Sequence, residues 1–306
     1  MHPLYDDVQF DVNKLLIEQC KSYNCNSSSS KDFSFFDYLK SIFNFFYYGF
    51  LLKTGLLRKF IYSNIFLGWF YEFKKYWENA LGFSPMELHD FYYLSCVYRS
   101  RAHILNIPEN PSPNEQLEVW QKPHTIYLLF QWCYRYAFQP LMYNYIKWVK
   151  KGNNILEYGC GIAPIATALI RFKRHLNIKI TCADIPSIWL HFVKWKFKEF
   201  DFVRIVTLDS KIENSIPDNY DIIICREVLE HLPNPFEVVR YFYERLTGGG
   251  ILIFDYEKTE GKGLDVKTSF EERVRVLHFI RSNFYIISGN IPVDNSAVGF
   301  VVCRKK

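Results

Sequence analysis

Between Asn154 and Pro164 the chain reads NILEYGCGIAP: an apolar stretch closes on an acidic residue and then meets Gly159 and Gly161. Ile155, Leu156 and Tyr158 are strand formers, and Ala166 to Arg171 resume with a helix-compatible pattern. The segment therefore predicts strand, tight turn and helix, the opening of a doubly wound nucleotide-binding unit. Glycine suits the turn because a backbone without Cβ can take positive φ and lie close against a ligand.

The third glycine of a dinucleotide fingerprint beginning at Gly159 would fall at position 164, where it would let helix and strand pack and expose the helix N-terminus to pyrophosphate. Position 164 is Pro, and Ala163 precedes it. These residues suit a ligand without pyrophosphate. The run Glu157-Tyr158-Gly159-Cys160-Gly161-Ile162-Ala163 resembles motif I of class I S-adenosylmethionine-dependent methyltransferases, which most often carry Gly at the position of Ala163.

The sequence after this turn keeps a strand-helix rhythm. Ile178 to Ala183 predict a second strand ending at Asp184, which lies 25 residues beyond Gly159. That is close to the roughly 20-residue spacing at which an acidic side chain meets ribose hydroxyls. Ser187 to Phe200 predict a helix, and Val203 to Leu208 a third strand followed by Asp209 and Ser210. Tyr220 to Cys225, YDIIIC, are apolar enough for a strand covered on both faces. Asn234-Pro235-Phe236-Glu237 has the cap, N1 proline and N3 glutamate of a helix start. A fifth strand is expected over Gly250 to Phe254 and a helix over Ser269 to Ser282. Phe284 to Ser288 and Ala297 to Val302 are expected to close the sheet as a hairpin.

The run EVLEHLPNP from Glu227 to Pro235 looks like the segment after strand four of small-molecule methyltransferases. The two resemblances cover about residues 150 to 306. They imply an α/β, Rossmann-like doubly wound sheet, mostly parallel with a C-terminal antiparallel hairpin, and S-adenosyl-L-methionine as cofactor. They also imply cofactor contacts from Glu157, Gly159, Cys160, Gly161, Asp184, Ile185, Asp209, Ser210 and Arg226. Asp209 would approach the adenine amino group. Tyr134 and Arg135, with Tyr127 and Tyr136 nearby, are candidates from the segment just ahead of motif I, and an Arg can pair bidentately with a carboxylate.

Transfer from a sulfonium is an in-line displacement in which positioning does most of the work, leaving a proton to be removed from the acceptor. His231 is the candidate base, with Glu230 beside it, because imidazole titrates near neutrality and follows a strand whose edge faces the ligand. If the segment is helical, Glu227, Glu230 and His231 share a face and could hold a divalent ion. Similar runs occur in metal-assisted methyltransferases acting on quinone precursors or RNA ends.

Residues 1–150 read as an aromatic-rich, mainly helical cap that selects the substrate, and 151–306 as the cofactor-binding domain. A helix start is expected at Ser84-Pro85-Met86-Glu87 and a loop over Ile107 to Asn114, which hold three prolines. Asn26 to Ser30 read as a flexible connection. The apolar stretch from Phe33 to Trp77 is interrupted by Lys40, Asn44, Lys53, Arg58 and Lys59 before reaching the roughly 18 residues of a membrane span, so at most peripheral membrane contact is expected. A net charge of +5 does not favour a nucleic-acid partner. Eight cysteines in 306 residues are too sparse for a disulfide scaffold, which with the acidic N-terminus predicts a reduced, cytoplasmic protein. The expected function is methylation of a small-molecule acceptor, on oxygen in preference to nitrogen. The alternatives are a metal-assisted enzyme for a quinone precursor or RNA end, and a non-catalytic cofactor-binding scaffold.

Overall fold

The computed structural model describes residues 68–83, 85–87, 90–91, 112, 115, 118–120, 129, 143–208, 216, 219–258, 265–292 and 296–306. Asn26 to Ser30, Ser84, Tyr127, Tyr134, Arg135, Tyr136, Asp209 and Ser210 lie outside the described residues. The chain groups into two compact units, one holding Leu105–Lys122 and Pro140–Lys306 together with the first nine residues, the other Phe10–Ile104 and Pro123–Gln139.

In the first unit the described strands are β1 (Asn154–Tyr158), β2 (Lys179–Asp184), β3 (Val203–Thr207), β4 (Tyr220–Cys225), β5 (Leu246–Tyr256), β6 (Phe284–Ser288) and β7 (Val298–Lys305). They form one sheet in the order β3-β2-β1-β4-β5-β7-β6. The first five run parallel, and β7 pairs antiparallel with both β5 and β6. β1 lies between β2 and β4, with Leu156 opposite both Thr181 and Ile223. Strand order reverses there, so the crevice beyond the C-terminal ends of β1 and β4 is where an open α/β sheet takes its ligand. Ile155, Leu156, Ile222, Ile223 and Ile224 are buried, as a strand covered on both faces requires.

In this unit α2 (Tyr143–Ile146) precedes β1, and α3 (Pro164–Lys173), α4 (Ile188–Phe197), α5 (Pro235–Arg245) and α6 (Lys267–Asn283) follow strands, with α1 (Gly68–Asn79) in the other unit. Ser187 caps α4 by accepting from the Leu190 amide at 3.4 Å. The capping box expected at Asn234 and Glu237 is not made. Asn234 gives no side-chain cap and Glu237 pairs with Arg240 at 2.5 Å. Packing of α6 on α5 brings Glu272 to the helix start, where it accepts from the Phe236 amide at 3.2 Å. A fully buried Phe242 on α5 meets Tyr158 edge-on at 4.9 Å and ties helix to sheet.

β5 begins earlier than the sequence predicts. Leu246 pairs with Tyr220, and register resumes at Ile251 opposite Ile222. The glycines between them absorb the irregularity, Gly249 taking φ 73°.

In the second unit, α1 buries Phe70, Phe73, Tyr76 and Trp77, and Phe91 meets Phe73 edge-on at 5.0 Å. The helix expected from Ser84 starts later. Pro85–Glu87 are irregular, and helix is present at Asp90 and Phe91. Asp90 accepts from the Glu87 amide at 2.8 Å, and the Phe91 amide donates to the Glu87 carbonyl at 3.1 Å. Burial of Met86, whose amide donates to Glu78, draws this segment out of helical path. Among the described residues no helix is long and apolar enough to cross a membrane.

Candidate active site

The turn after β1 holds three left-handed residues in five positions: Gly159 (φ 64°), Gly161 (φ 53°) and Ala163 (φ 53°). Two backbone bonds fix it, Cys160 N–H to the Ala183 carbonyl at 3.1 Å and Ala163 N–H to the Cys160 carbonyl at 2.7 Å. A Cβ built on Gly159 would sit 2.2 Å from Val228 Cγ2, so the absence of a side chain lets the segment after β4 close over the turn. The Cys160 thiol donates to the Gly161 carbonyl at 3.8 Å, and burial raises both Cys160 and Cys182 above the ordinary thiol range.

Glu157, expected among the ligand contacts, places its carboxylate on the start of α3. It accepts from the Ile165 amide at 3.2 Å and the Ala166 amide at 2.7 Å. Burial raises this carboxyl and the two amides pull it back down. A pyrophosphate at this helix N-terminus would meet a buried carboxylate already bonded there.

Asp184 ends β2 beside the glycine turn. Its Oδ2 accepts from the Gly161 amide at 2.6 Å and its Oδ1 from the Ile185 amide at 2.7 Å. The Trp189 indole also donates to it. Burial pushes the Asp184 carboxyl up to about 6, and these donors act against the rise.

Across the switch point, Arg226 follows β4 and donates through Nε to Asp255 Oδ2 at 2.7 Å, while its guanidinium lies 5.0 Å over the Tyr145 ring. Asp255 Oδ1 accepts from the Glu227 amide at 2.6 Å, and Glu227 itself is exposed with φ 52°.

Only Leu229–His231 form a single 3-10 turn, which corrects the helical face expected for Glu227, Glu230 and His231. The three side chains diverge: Glu227 faces Arg226, Glu230 is buried, and His231 Nδ1 lies 2.9 Å from Asp265 Oδ1. Among the described residues no group of three or more His, Cys, Asp or Glu is placed to hold a metal ion. Burial pushes Glu230 up to about 7, and its Oε2 has no hydrogen-bond partner among the described residues. Trp120 meets His231 edge-on at 5.4 Å.

Residues 156–252 match the family model of a methyltransferase domain. That stretch includes the glycine turn, Asp184 and the segment after β4. A ubiquinone biosynthesis O-methyltransferase of Pseudomonas putida (strain W619) is 30% identical to this chain over 104 residues, 34% of its length and 44% of the relative. The enzyme of the same name from Proteus mirabilis (strain HI4320) is 26% identical over 121 residues, 38% of this chain and 47% of the relative. The chain thus spans less than half the length of the curated relatives it matches. A methyltransferase structure from Pyrococcus furiosus aligns with a TM-score of 0.40 and 15% identity, covering 55% of this chain and 83% of that one.

At the sheet edge the structure gathers Gly159, Gly161, Asp184 and Ile185 on one side of the switch point. Arg226 and Glu227 meet Asp255 on the other. Asp255 and Asp265 are absent from the sequence-based candidates. The first was detectable as an acid near the end of strand five, and the second has no local signal. Trp120 had one. Ser112-Pro113-Asn114-Glu115 repeats the Ser-Pro-x-Glu pattern of residues 84–87, within a stretch expected to be loop. Here the capping box forms. Glu115 Oε2 accepts from the Ser112 amide at 2.8 Å, and the Glu115 amide donates to Ser112 Oγ at 3.3 Å. Residues 115 and 118–120 are helical, and Trp120 meets Trp189 and His231 edge-on.

Proposed function

We propose that this chain is an S-adenosylmethionine-dependent O-methyltransferase of a small hydroxylated acceptor, and that the region ahead of residue 150 selects that acceptor. The observation that carries the reading is the 2.9 Å pair of His231 and Asp265, set after the strand that flanks the glycine turn and Asp184. The donor fits these residues on chemical grounds. The Asp184 carboxylate beside the glycine turn has the acceptor chemistry that ribose hydroxyls require, and Glu157 already satisfies two helix amides a phosphate would need. Once bound, S-adenosylmethionine supplies an electrophilic methyl group on sulfur.

The protein's own contribution is orientation and proton transfer. With Nδ1 directed at Asp265, His231 is held in the tautomer that takes a proton at Nε2, and the carboxylate stabilises the imidazolium that results. Asp255 fixes the backbone after β4 through the Glu227 amide and holds Arg226 at the same edge. Buried Glu230 underlies the turn, its carbonyl accepting from the Val266 amide at 2.9 Å next to Asp265. Glu230 therefore joins the two segments that supply His231 and Asp265. The curated relatives, named as O-methyltransferases of ubiquinone biosynthesis, support oxygen as the methylated atom.

The test is transfer of a labelled methyl group from S-adenosylmethionine to a panel of phenols and catechols, read by mass spectrometry, with calorimetric titration of S-adenosylhomocysteine alongside. Methylated product and binding are expected. A folded protein that binds no S-adenosylhomocysteine would sink the reading.

A further inference from the structure

The half-buried indole of Trp120 meets residues from both sides of the switch point. Its centroid lies 5.6 Å from Trp189 of α4 at an interplanar angle of 75°, and 5.4 Å from His231 at 70°. Trp189 is bonded to Asp184 at the end of β2, while His231 is bonded to Asp265. The indole thus spans the interval between the proposed cofactor carboxylate and the proposed base.

We infer that Trp120 is a wall of the acceptor pocket and that it selects an aromatic ring bearing the hydroxyl to be methylated. The inference rests on the reading of His231 as proton acceptor and adds a specificity-determining residue to it. An aromatic acceptor can meet the indole edge-on or in an offset stack, the arrangements the ring quadrupoles favour. An aliphatic hydroxyl gains only apolar contact there. Trp120 approaches from a segment ahead of the sheet, started by the Ser112–Glu115 cap, so acceptor choice is carried by chain outside the strand-helix core.

The experiment compares the full-length protein with Trp120→Leu and Trp120→Phe. Protocatechuate is titrated calorimetrically into each protein saturated with S-adenosylhomocysteine, and methylation of the same probe is followed with S-adenosylmethionine. Trp120→Leu should weaken protocatechuate binding and raise its KM by about tenfold, the loss of one aromatic contact. Its S-adenosylhomocysteine affinity should stay within about twofold of wild type, and Trp120→Phe should keep most of the protocatechuate affinity. Unchanged protocatechuate binding in Trp120→Leu overturns the inference. So does a parallel loss of S-adenosylhomocysteine affinity, which marks a purely structural role, and so does a wild-type complex that binds no protocatechuate. Trp120-dependent binding without turnover supports the wall and removes the proton-acceptor reading instead.

Discussion

His231 Nδ1 and Asp265 Oδ1 are 2.9 Å apart although 34 residues separate them in the chain. The pair joins a turn after β4 to the residue that precedes the approach to α6. Asp265→Asn should retain a hydrogen-bonding side chain but not the charge that stabilises the imidazolium. A fall in kcat of about 10- to 100-fold is expected, less than the roughly 100- to 10,000-fold of losing a general base outright, with KM and S-adenosylhomocysteine affinity near wild type. His231→Ala should fall at least as far. Near-normal turnover in both would return the pair to a structural role.

Asp184 supplies a pH signature for cofactor binding. Its carboxyl is pushed up to about 6 by burial, so below that pH it is protonated and a poorer acceptor for ribose hydroxyls. S-adenosylhomocysteine affinity should weaken by about tenfold per pH unit below this point and level off above it, as expected when binding favours the form lacking one proton. Calorimetry across pH 4.5 to 8 checks it, with Asp184→Asn as the flat control. A pH-independent wild-type affinity would remove Asp184 from the ribose site.

Glu230 tests stability rather than binding. Its folded-state pKa is raised from 4.5 to about 7 by burial, so its contribution is fully present below 4.5 and is lost as pH rises through 7. Glu230→Gln keeps the shape without the charge. The variant should gain on wild type at pH 8, by up to about 3 kcal/mol, and the gap should close by pH 4.5, as denaturant melts at both pH values would show.

At Gly159 the prediction concerns a close approach. Gly159→Ala places a methyl 2.2 Å from Val228 Cγ2 at a φ of 64°, and should destabilise the protein by several kcal/mol and abolish S-adenosylhomocysteine binding. Adding Val228→Ala removes the clashing methyls but not the backbone strain, so about half of the lost stability should return. Strict additivity of the two substitutions would show that Val228 is not the obstacle.

Ala163 offers the opposite case. It caps α3 at φ 53° and ψ 60°, a conformation that costs an L-residue about 1–2 kcal/mol and glycine almost nothing. Ala163→Gly should therefore stabilise the domain by about 0.5–1 kcal/mol after the entropic cost of glycine in the unfolded chain. A thermal melt lower than wild type would contradict it.

What the sequence determined by itself was local in origin. The apolar runs of β1 and β4, the positive-φ glycines and the Ser187 cap are written in adjacent residues, and they suffice for the strand-helix order and the position of the turn. Even the Ser112–Glu115 cap was legible there, although three nearby prolines hid it. The tertiary structure decided what local pattern leaves open. Whether Glu157 faced a ligand or α3 depended on how closely the helix start returned to β1. The partners of Arg226 and His231 depended on which carboxylates β5 and the approach to α6 bring to the sheet edge. The placement of Trp120 against Trp189 and His231 depended on docking of a distant segment. Side-chain partners across such separations follow from packing, because a carboxylate or ring finds its neighbour only after the strands and helices between them have set the distance.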